Sequence, residues 1–217
     1  MFIALEGVDG SGKSTQVALL AEALGPDTLR IREPGGTDAA ESIRSTLADP
    51  EIPLDATAEL LLFFAARADL VNRVIRPALD AGAVVVSDRF VDSTEAYQGV
   101  ARGLGIEVVA ELNRIATGGL LPDLAILLRV DPEVGLDRAK SDDRFEAEGV
   151  AFQHLVAGAY EEIARREPER FVAVDGAGSP EEVHSRVIAV IRSRLGGRDP
   201  GPAAVDPEAA DPNEAGK

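Results

Sequence analysis

Lys13 and Ser14 close the stretch Gly7-Val8-Asp9-Gly10-Ser11-Gly12-Lys13-Ser14, whose spacing is Gly, four residues, Gly, Lys, then Ser or Thr. That spacing can cradle a phosphate chain. The glycines let consecutive backbone N–H groups curl around an anion, and a helix starting at the loop adds partial positive charge. Lys13 is expected to reach the terminal phosphates, and the Ser14 hydroxyl to ligate Mg²⁺. A second pair with chemical potential is Asp88-Arg89, at the end of an apolar run. An acid at the end of a strand beside the phosphate strand is expected to partner Mg²⁺ through water, and the Arg after it to face a second phosphate-bearing substrate.

These residues need particular elements around them. Phe2-Ile3-Ala4-Leu5 is a short apolar run that predicts a buried strand, and Lys13 to Leu24 has helical spacing ending at Gly25-Pro26. Further strands are predicted at Thr28 to Arg32, Ala83 to Ser87, Leu124 to Val130 and Phe171 to Asp175. Ala83-Val84-Val85-Val86 is continuous, as in a parallel strand covered on both faces. Helices are predicted over Asp38 to Ala48, Thr57 to Asp80, Ile106 to Ala116, Pro132 to Lys140, Val150 to Arg166 and Pro180 to Leu195. Asp38 with Glu41 resembles a capping box, and Pro180 before Glu181-Glu182 suits a helix first turn. Strands alternating with helices make this an α/β chain with a parallel five-stranded sheet between helical layers.

The chain has 217 residues, enough for one α/β domain with a sizeable core. Its net charge of −16 argues against nucleic acid or an anionic membrane as the main partner. Without cysteine there is no thiolate chemistry and no disulfide framework. No apolar run approaches a membrane span, and a strand from position 2 leaves no room for a signal peptide, so a cytoplasmic protein is expected. Lys13 is one of only three lysines, with Lys140 and Lys217. Residues 1 to 195 are expected to form the domain. From Gly196 the chain turns to Pro, Ala, Gly and acids, the composition of a disordered tail.

A phosphate loop serves GTPases, motors and small-molecule kinases alike. Guanine-reading GTPases need an Asn-Lys-x-Asp element, which is missing here. Asp175-Gly176-Ala177-Gly178 mimics another of their motifs but comes too late, and is expected instead to lie near an adenine. His154 and His184 have no partner at metal-ligand spacing and are expected to be satisfied or solvent-facing.

Taken together, several segments resemble the bacterial thymidylate kinases. They are Glu6 to Thr15, Arg32-Glu33-Pro34-Gly35-Gly36-Thr37, Phe63-Phe64-Ala65-Ala66-Arg67, Val74 to Leu79, Asp88-Arg89-Phe90 with Ser93-Thr94 and Ala96-Tyr97-Gln98-Gly99, Pro122-Asp123-Leu124, and Asp143-Arg144-Phe145-Glu146. The resemblance runs to about Tyr160. It implies a three-layer P-loop kinase fold, a homodimer, and phosphorylation of dTMP to dTDP by ATP with Mg²⁺. ATP would be bound by Gly7, Val8, Asp9, Gly10, Ser11, Gly12, Lys13, Ser14 and Thr15. For dTMP, Phe63 would stack on thymine and Arg67 would donate to a thymine carbonyl. Tyr97 would exclude a ribose 2′-hydroxyl, while Thr94 and Gln98 line the base pocket and Pro34 its wall, with Arg32 nearby. Asp9 would approach the sugar 3′-hydroxyl, and Arg89 the acceptor phosphate. Ser14 and Asp88 would serve the metal, and Lys13, Asp9, Arg89 and Arg144 the transfer itself.

Some relatives carry an Arg in the loop where this chain has Gly10. The missing cation is expected from a lid over Arg138 to Gly149, which is several residues short. Arg144 is the first choice there, with Arg138 and Lys140 as alternatives. Leu70 stands where His is common and is expected to alter hydrogen bonding at the pocket edge; Arg129, where an acid is common, is expected to be a surface change. The rival readings are another nucleoside-monophosphate or deoxynucleoside kinase, and a nucleotide-binding protein without turnover.

Overall fold

The computed structural model describes residues 1–139 and 148–195. Five parallel strands form one sheet in the order β2-β3-β1-β4-β5: β1 Phe2–Glu6, β2 Thr28–Arg32, β3 Val84–Asp88, β4 Leu124–Arg129 and β5 Phe171–Asp175. The predicted α/β class and strand set hold, with ends shifted by one residue at β1, β3 and β4. Alternate residues of β1 enter different cores, which explains its unbroken apolar run. Phe2 and Ala4 join Val71, Ile75, Val156 and Tyr160 on one face. Ile3 and Leu5 join Val17 and Leu20 of α1 (Lys13–Leu24) and Val183, Val187 and Ile191 of α9 (Pro180–Arg194) on the other.

The remaining helices are α2 Asp38–Ala48, α3 Ala56–Leu70, α4 Arg76–Asp80, α5 Val91–Thr94, α6 Ile106–Thr117, α7 Pro132–Arg138 and α8 Gly149–Arg166. The single helix predicted over Thr57 to Asp80 is divided by a π-helical turn at Val71–Ile75. Pro77 has no N–H for the carbonyl four residues back, so the hydrogen-bond ladder widens just before it. A second π-helical stretch, Glu95–Ala101, continues α5 and carries Tyr97 and Gln98. Residues 91–101 are thus helical where only motif residues were read. The cap of α2 is Thr37, whose side chain accepts from Ala40 N, rather than Asp38. Glu41 is drawn away from any capping box by Gly36 N and Arg32. The complete box belongs to α9, between Ser179 and Glu182.

The sheet register brings the site residues level. Leu5 and Arg32 both pair with Asp88 at the carboxyl ends of β1, β2 and β3, the edge where open parallel sheets bind ligands. Against that edge lies α7, backbone to backbone. A side chain at Gly10 would overlap the carbonyl oxygen of Gly135, and one at Gly135 would overlap the carbonyl of Asp9. Gly10 also has φ +68°, so the loop position where relatives carry Arg has neither the backbone nor the space for one here. Ala for Gly inside a helix ordinarily stabilises by ~0.5–1 kcal/mol. Gly135→Ala is expected instead to destabilise by about 1–3 kcal/mol, read from the urea midpoint. A gain in stability would show that α7 does not press on the loop.

Candidate active site

The loop from Gly7 wraps between β1 and α1, and Gly12 in left-handed conformation (φ +92°) opens the helix. Lys13 is buried, and its Nζ donates to Gly7 O at 3.0 Å, Val8 O at 2.8 Å and Ser11 Oγ at 3.3 Å. Burial pushes its ammonium down to about 8, with the Arg89 cation adding to the effect against Asp88, Asp9 and Glu6. Ser14 Oγ donates to Asp88 Oδ2 at 2.5 Å, so two hard oxygen donors lie side by side. Mg²⁺ takes one or two such oxygens from protein and completes its octahedron with phosphates and water. The pair therefore fits Mg²⁺, and among the described residues no cluster of three or more His, Cys, Asp or Glu offers a fuller protein cage.

Arg89 is the hub of the site. It is the only described non-glycine residue with positive φ, +71°, a conformation costing roughly 1–2 kcal/mol for an L-residue. Ser87 Oγ fixes that backbone by donating to Arg89 O at 2.5 Å, and Arg89 N donates to Leu5 O at 3.0 Å. Its guanidinium donates to Gly7 O, Ser93 Oγ, Tyr97 OH and the Asp9 carboxylate, and lies 4.8 Å from the Tyr97 ring centre. The other Asp9 oxygen accepts from Gln153 Nε2 at 2.7 Å. Burial acts to raise the Asp9 pKa, but Arg89 and then Lys13 outweigh it and hold the carboxyl below its usual range.

Beneath Arg89 sits Glu6, fully buried at the end of β1. It accepts from Phe90 N at 2.8 Å, Ser93 Oγ at 2.5 Å and Tyr160 OH at 3.0 Å. Burial, reinforced by Asp92, pushes its carboxyl up to about 7.

A cavity of about 380 Å³ runs from this cluster to α3. Asp9, Gly10, Lys13, Ser14, Asp88 and Arg89 line one end; Pro34, Phe63, Arg67, Thr94, Tyr97 and Gln98 line the rest, with Arg32 beside them. Phe63 is half-buried on this wall while its neighbour Phe64 enters the core. Arg67 is not a free arm. Its Nε and Nη2 donate to Glu33 Oε2 at 2.7 and 2.5 Å, Nη1 to Asn113 Oδ1 at 2.7 Å, and Nη2 also to Phe90 O at 3.1 Å. A second cavity of about 550 Å³ is lined by Gly10 to Gln16, Arg138, Gly176 and Gly178. It includes Thr15 and puts the Asp175-to-Gly178 loop across from the phosphate loop. Gly7 and Val8 lie beneath the loop, where their carbonyls hold Lys13.

Thus every predicted site residue within the described chain belongs to one connected locus. Of the predicted lid, Arg138 to Gly149, residues 140–147 lie outside the described residues, Lys140 and Arg144 among them, as does the predicted tail from Gly196. Leu70 is not at the pocket edge: it is fully buried in the core and packs over Gly36. Arg129 pairs with Glu161 on the surface, as expected. His154 is exposed, whereas the buried Nδ1 of His184 has no hydrogen-bond partner among the described residues. Sequence reasoning missed Gln153, Tyr160, Asn113 and Glu59 as site-supporting residues, and quoted Glu6 and Glu33 without roles. Only Glu59 left a signal, one helical repeat of four before Phe63 and two before Arg67.

A parallel sheet with a phosphate loop at β1, a paired Ser and Asp, and a polar-ended cleft beside it defines a P-loop kinase. The thymidylate kinase family model matches residues 5–187. Thymidylate kinases of two Synechococcus strains are similar: that of strain JA-3-3Ab is 49% identical over 90% of this chain and 97% of its own. That of strain JA-2-3B'a(2-13) is 50% identical over 92% and 100%. The crystal structure of thymidylate kinase from Ehrlichia chaffeensis superposes with a TM-score of 0.74, at 33% identity, over 88% of this chain and 98% of that one. The chain belongs to the thymidylate kinase family.

Glu6 makes stability depend on pH with a definite sign. Its folded pKa, about 7, lies above the ordinary 4.5. The folded state therefore holds the proton more tightly, and that advantage, full below 4.5, fades as pH rises through 7. Wild type is expected to lose about 2.5 kcal/mol relative to Glu6→Gln between pH 5 and 8, measured by chemical denaturation. A constant difference across that range would mean Glu6 does not titrate there.

Proposed function

We propose that this chain transfers the γ-phosphoryl group of ATP to dTMP, giving ADP and dTDP. The observation that carries the reading is the continuity of the first cavity from the phosphate loop and Arg89 to Phe63, Arg67 and Gln98. One substrate lies with its phosphate by Arg89 and its base against α3, while ATP enters by the second cavity over Gly10 to Thr15.

In the transfer, an oxygen of the dTMP phosphate bonds to the γ-phosphorus as the bond to the β–γ bridging oxygen breaks and ADP leaves. A phosphate monoester has its second pKa near ~6, so the acceptor is largely dianionic and no strong base is required. The chain's task is to align two anions. Lys13 exchanges loop carbonyls for the terminal phosphates of ATP. Arg89 exchanges Asp9 for the dTMP phosphate, and the freed Asp9, steadied by Gln153, is assigned to the sugar 3′-hydroxyl. Phe63 stacks on the base, Tyr97 crowds the 2′ carbon, and Pro34 and Thr94 close the pocket. Ser14 and Asp88 would hold Mg²⁺, which when bound neutralises charge on the β- and γ-phosphates. Arg144 is the cation assigned by sequence position to the transferring group, within a kinase domain of residues 1 to 195.

A cytoplasmic homodimer completes the proposal. Leu61 of α3 and Val108 and Ile115 of α6 are exposed apolar residues that suit pairing, and among the described residues no helix is long and apolar enough to cross a membrane.

The decisive experiment assays ADP formation with a panel of nucleoside monophosphates and with thymidine. dTMP is expected to exceed dCMP, UMP and thymidine; comparable rates with any of them would favour another nucleoside or nucleotide kinase. Lys13→Ala is expected to lower kcat by roughly 10³-fold or more with an unchanged circular dichroism spectrum. Near-normal turnover in that variant would remove the phosphate chemistry proposed for the loop.

A further inference from the structure

Thymine and cytosine differ along one edge. Thymine shows a carbonyl at C4 and an N–H at N3; cytosine shows an amino group and a bare N3 lone pair. A pocket that tells them apart needs a fixed donor beside a fixed acceptor. Arg67 is donor-only, and the Glu33, Asn113 and Phe90 contacts occupy four of its five N–H groups. One Nη1 hydrogen remains for a carbonyl. Gln98 is harder, because an amide can present either its oxygen or its NH₂ group.

Glu59 settles which. It is 1% exposed on α3, behind the pocket wall, and its Oε1 accepts from Gln98 Nε2 at 2.8 Å. A carboxylate only accepts, so the NH₂ group must face it. Arg102 donates to both Glu59 oxygens at 3.2 Å and stacks over the Phe152 ring, which holds the carboxylate in place. Gln98 makes no other side-chain hydrogen bond among the described residues, and it lines the cavity. Its Oε1 is therefore the group left to meet a ligand.

Resting on the proposed function, we infer that Glu59 is a specificity-determining positioning residue: it locks the Gln98 amide so that Oε1 accepts from N3–H of a 4-keto pyrimidine. With Arg67 donating at C4, the pocket then matches thymine and opposes cytosine at both positions. A lone-pair-to-oxygen contact and a donor-to-donor contact would each leave a buried polar group unpaired, the condition under which enzymes reject an analogue most strongly.

Glu59→Gln tests this, because a glutamine there can donate as well as accept and so frees the Gln98 amide to turn. The ratio of kcat/KM for dTMP over dCMP is expected to fall by about tenfold or more, with the KM for ATP within about twofold of wild type. Arg102→Lys keeps both the charge and the Gln98–Glu59 bond, and is expected to keep the ratio. If Glu59 serves only its ion pair, the two variants will shift the ratio alike, and the inference fails. It fails equally if Glu59→Gln retains full selectivity. An arm on the unmodified protein covers the case in which Glu59→Gln does not fold. N3-methyl-dTMP is expected to bind roughly tenfold or more weakly than dTMP, and equal binding would show that no acceptor reads N3. Absence of dTMP turnover in wild type would instead remove the functional reading itself.

Discussion

A guanidinium held nearly out of water organises this molecule. Arg89 reaches the phosphate loop through Gly7 and Asp9, α5 through Ser93, the π-helical stretch through Tyr97, and α8 through Tyr160. Four separate parts of the chain thus close on one cation. Its left-handed backbone is the local cost of aiming that cation back over the sheet edge. The chain as a whole carries −16, so in the proposed reading phosphate affinity must come from this local concentration of positive charge and not from the surface.

Buried acids do the aiming. Glu6, Glu33 and Glu59 are at most 6% exposed, and each receives donors from a residue of the cleft or from its immediate support. Such groups are a weak source of stability, because desolvation offsets most of their attraction. Their effect is geometric. Glu6 secures Ser93 and Tyr160, both of which touch Arg89. Glu33 secures Arg67, and Glu59 secures Gln98. The residues that face the cleft are consequently restrained before any ligand arrives, which lowers the ordering needed on binding.

Much of the cleft could be read from sequence because its chemistry is local. The glycine spacing, Lys13, Ser14 and the apolar runs before them sit within a few residues of one another, and a continuous apolar strand is its own signature. Asp88 and Arg89 were readable because they end such a run. The supports were not: Asp9 meets Gln153 across 144 positions, and Arg67 meets Asn113 across 46. No periodicity marks such pairs. The widened turn before Pro77 and the Thr37 cap were missed for a related reason. Each depends on which of several nearby donors wins a carbonyl, and that competition is decided by tertiary packing. Leu70 was misplaced because a family substitution was read as a pocket change, when the side chain faces the core beside Gly36.

The two site cations are held close together. Lys13 Nζ and Arg89 Nη1 donate to the same oxygen, Gly7 O, at 3.0 and 3.2 Å. Two cations that share one oxygen repel each other, and this repulsion works with burial to lower the Lys13 pKa. Folding therefore holds two like charges closer than they would choose, with Asp9 and the loop carbonyls as partial relief. In the proposed reading, a phosphate chain entering between them would replace that repulsion with two attractions. The same strain that weakens the lysine's hold on its proton then strengthens the site's hold on an anion. In the proposed transfer the preference is greatest where the donor and acceptor phosphates meet between the two cations, the arrangement that phosphoryl transfer requires.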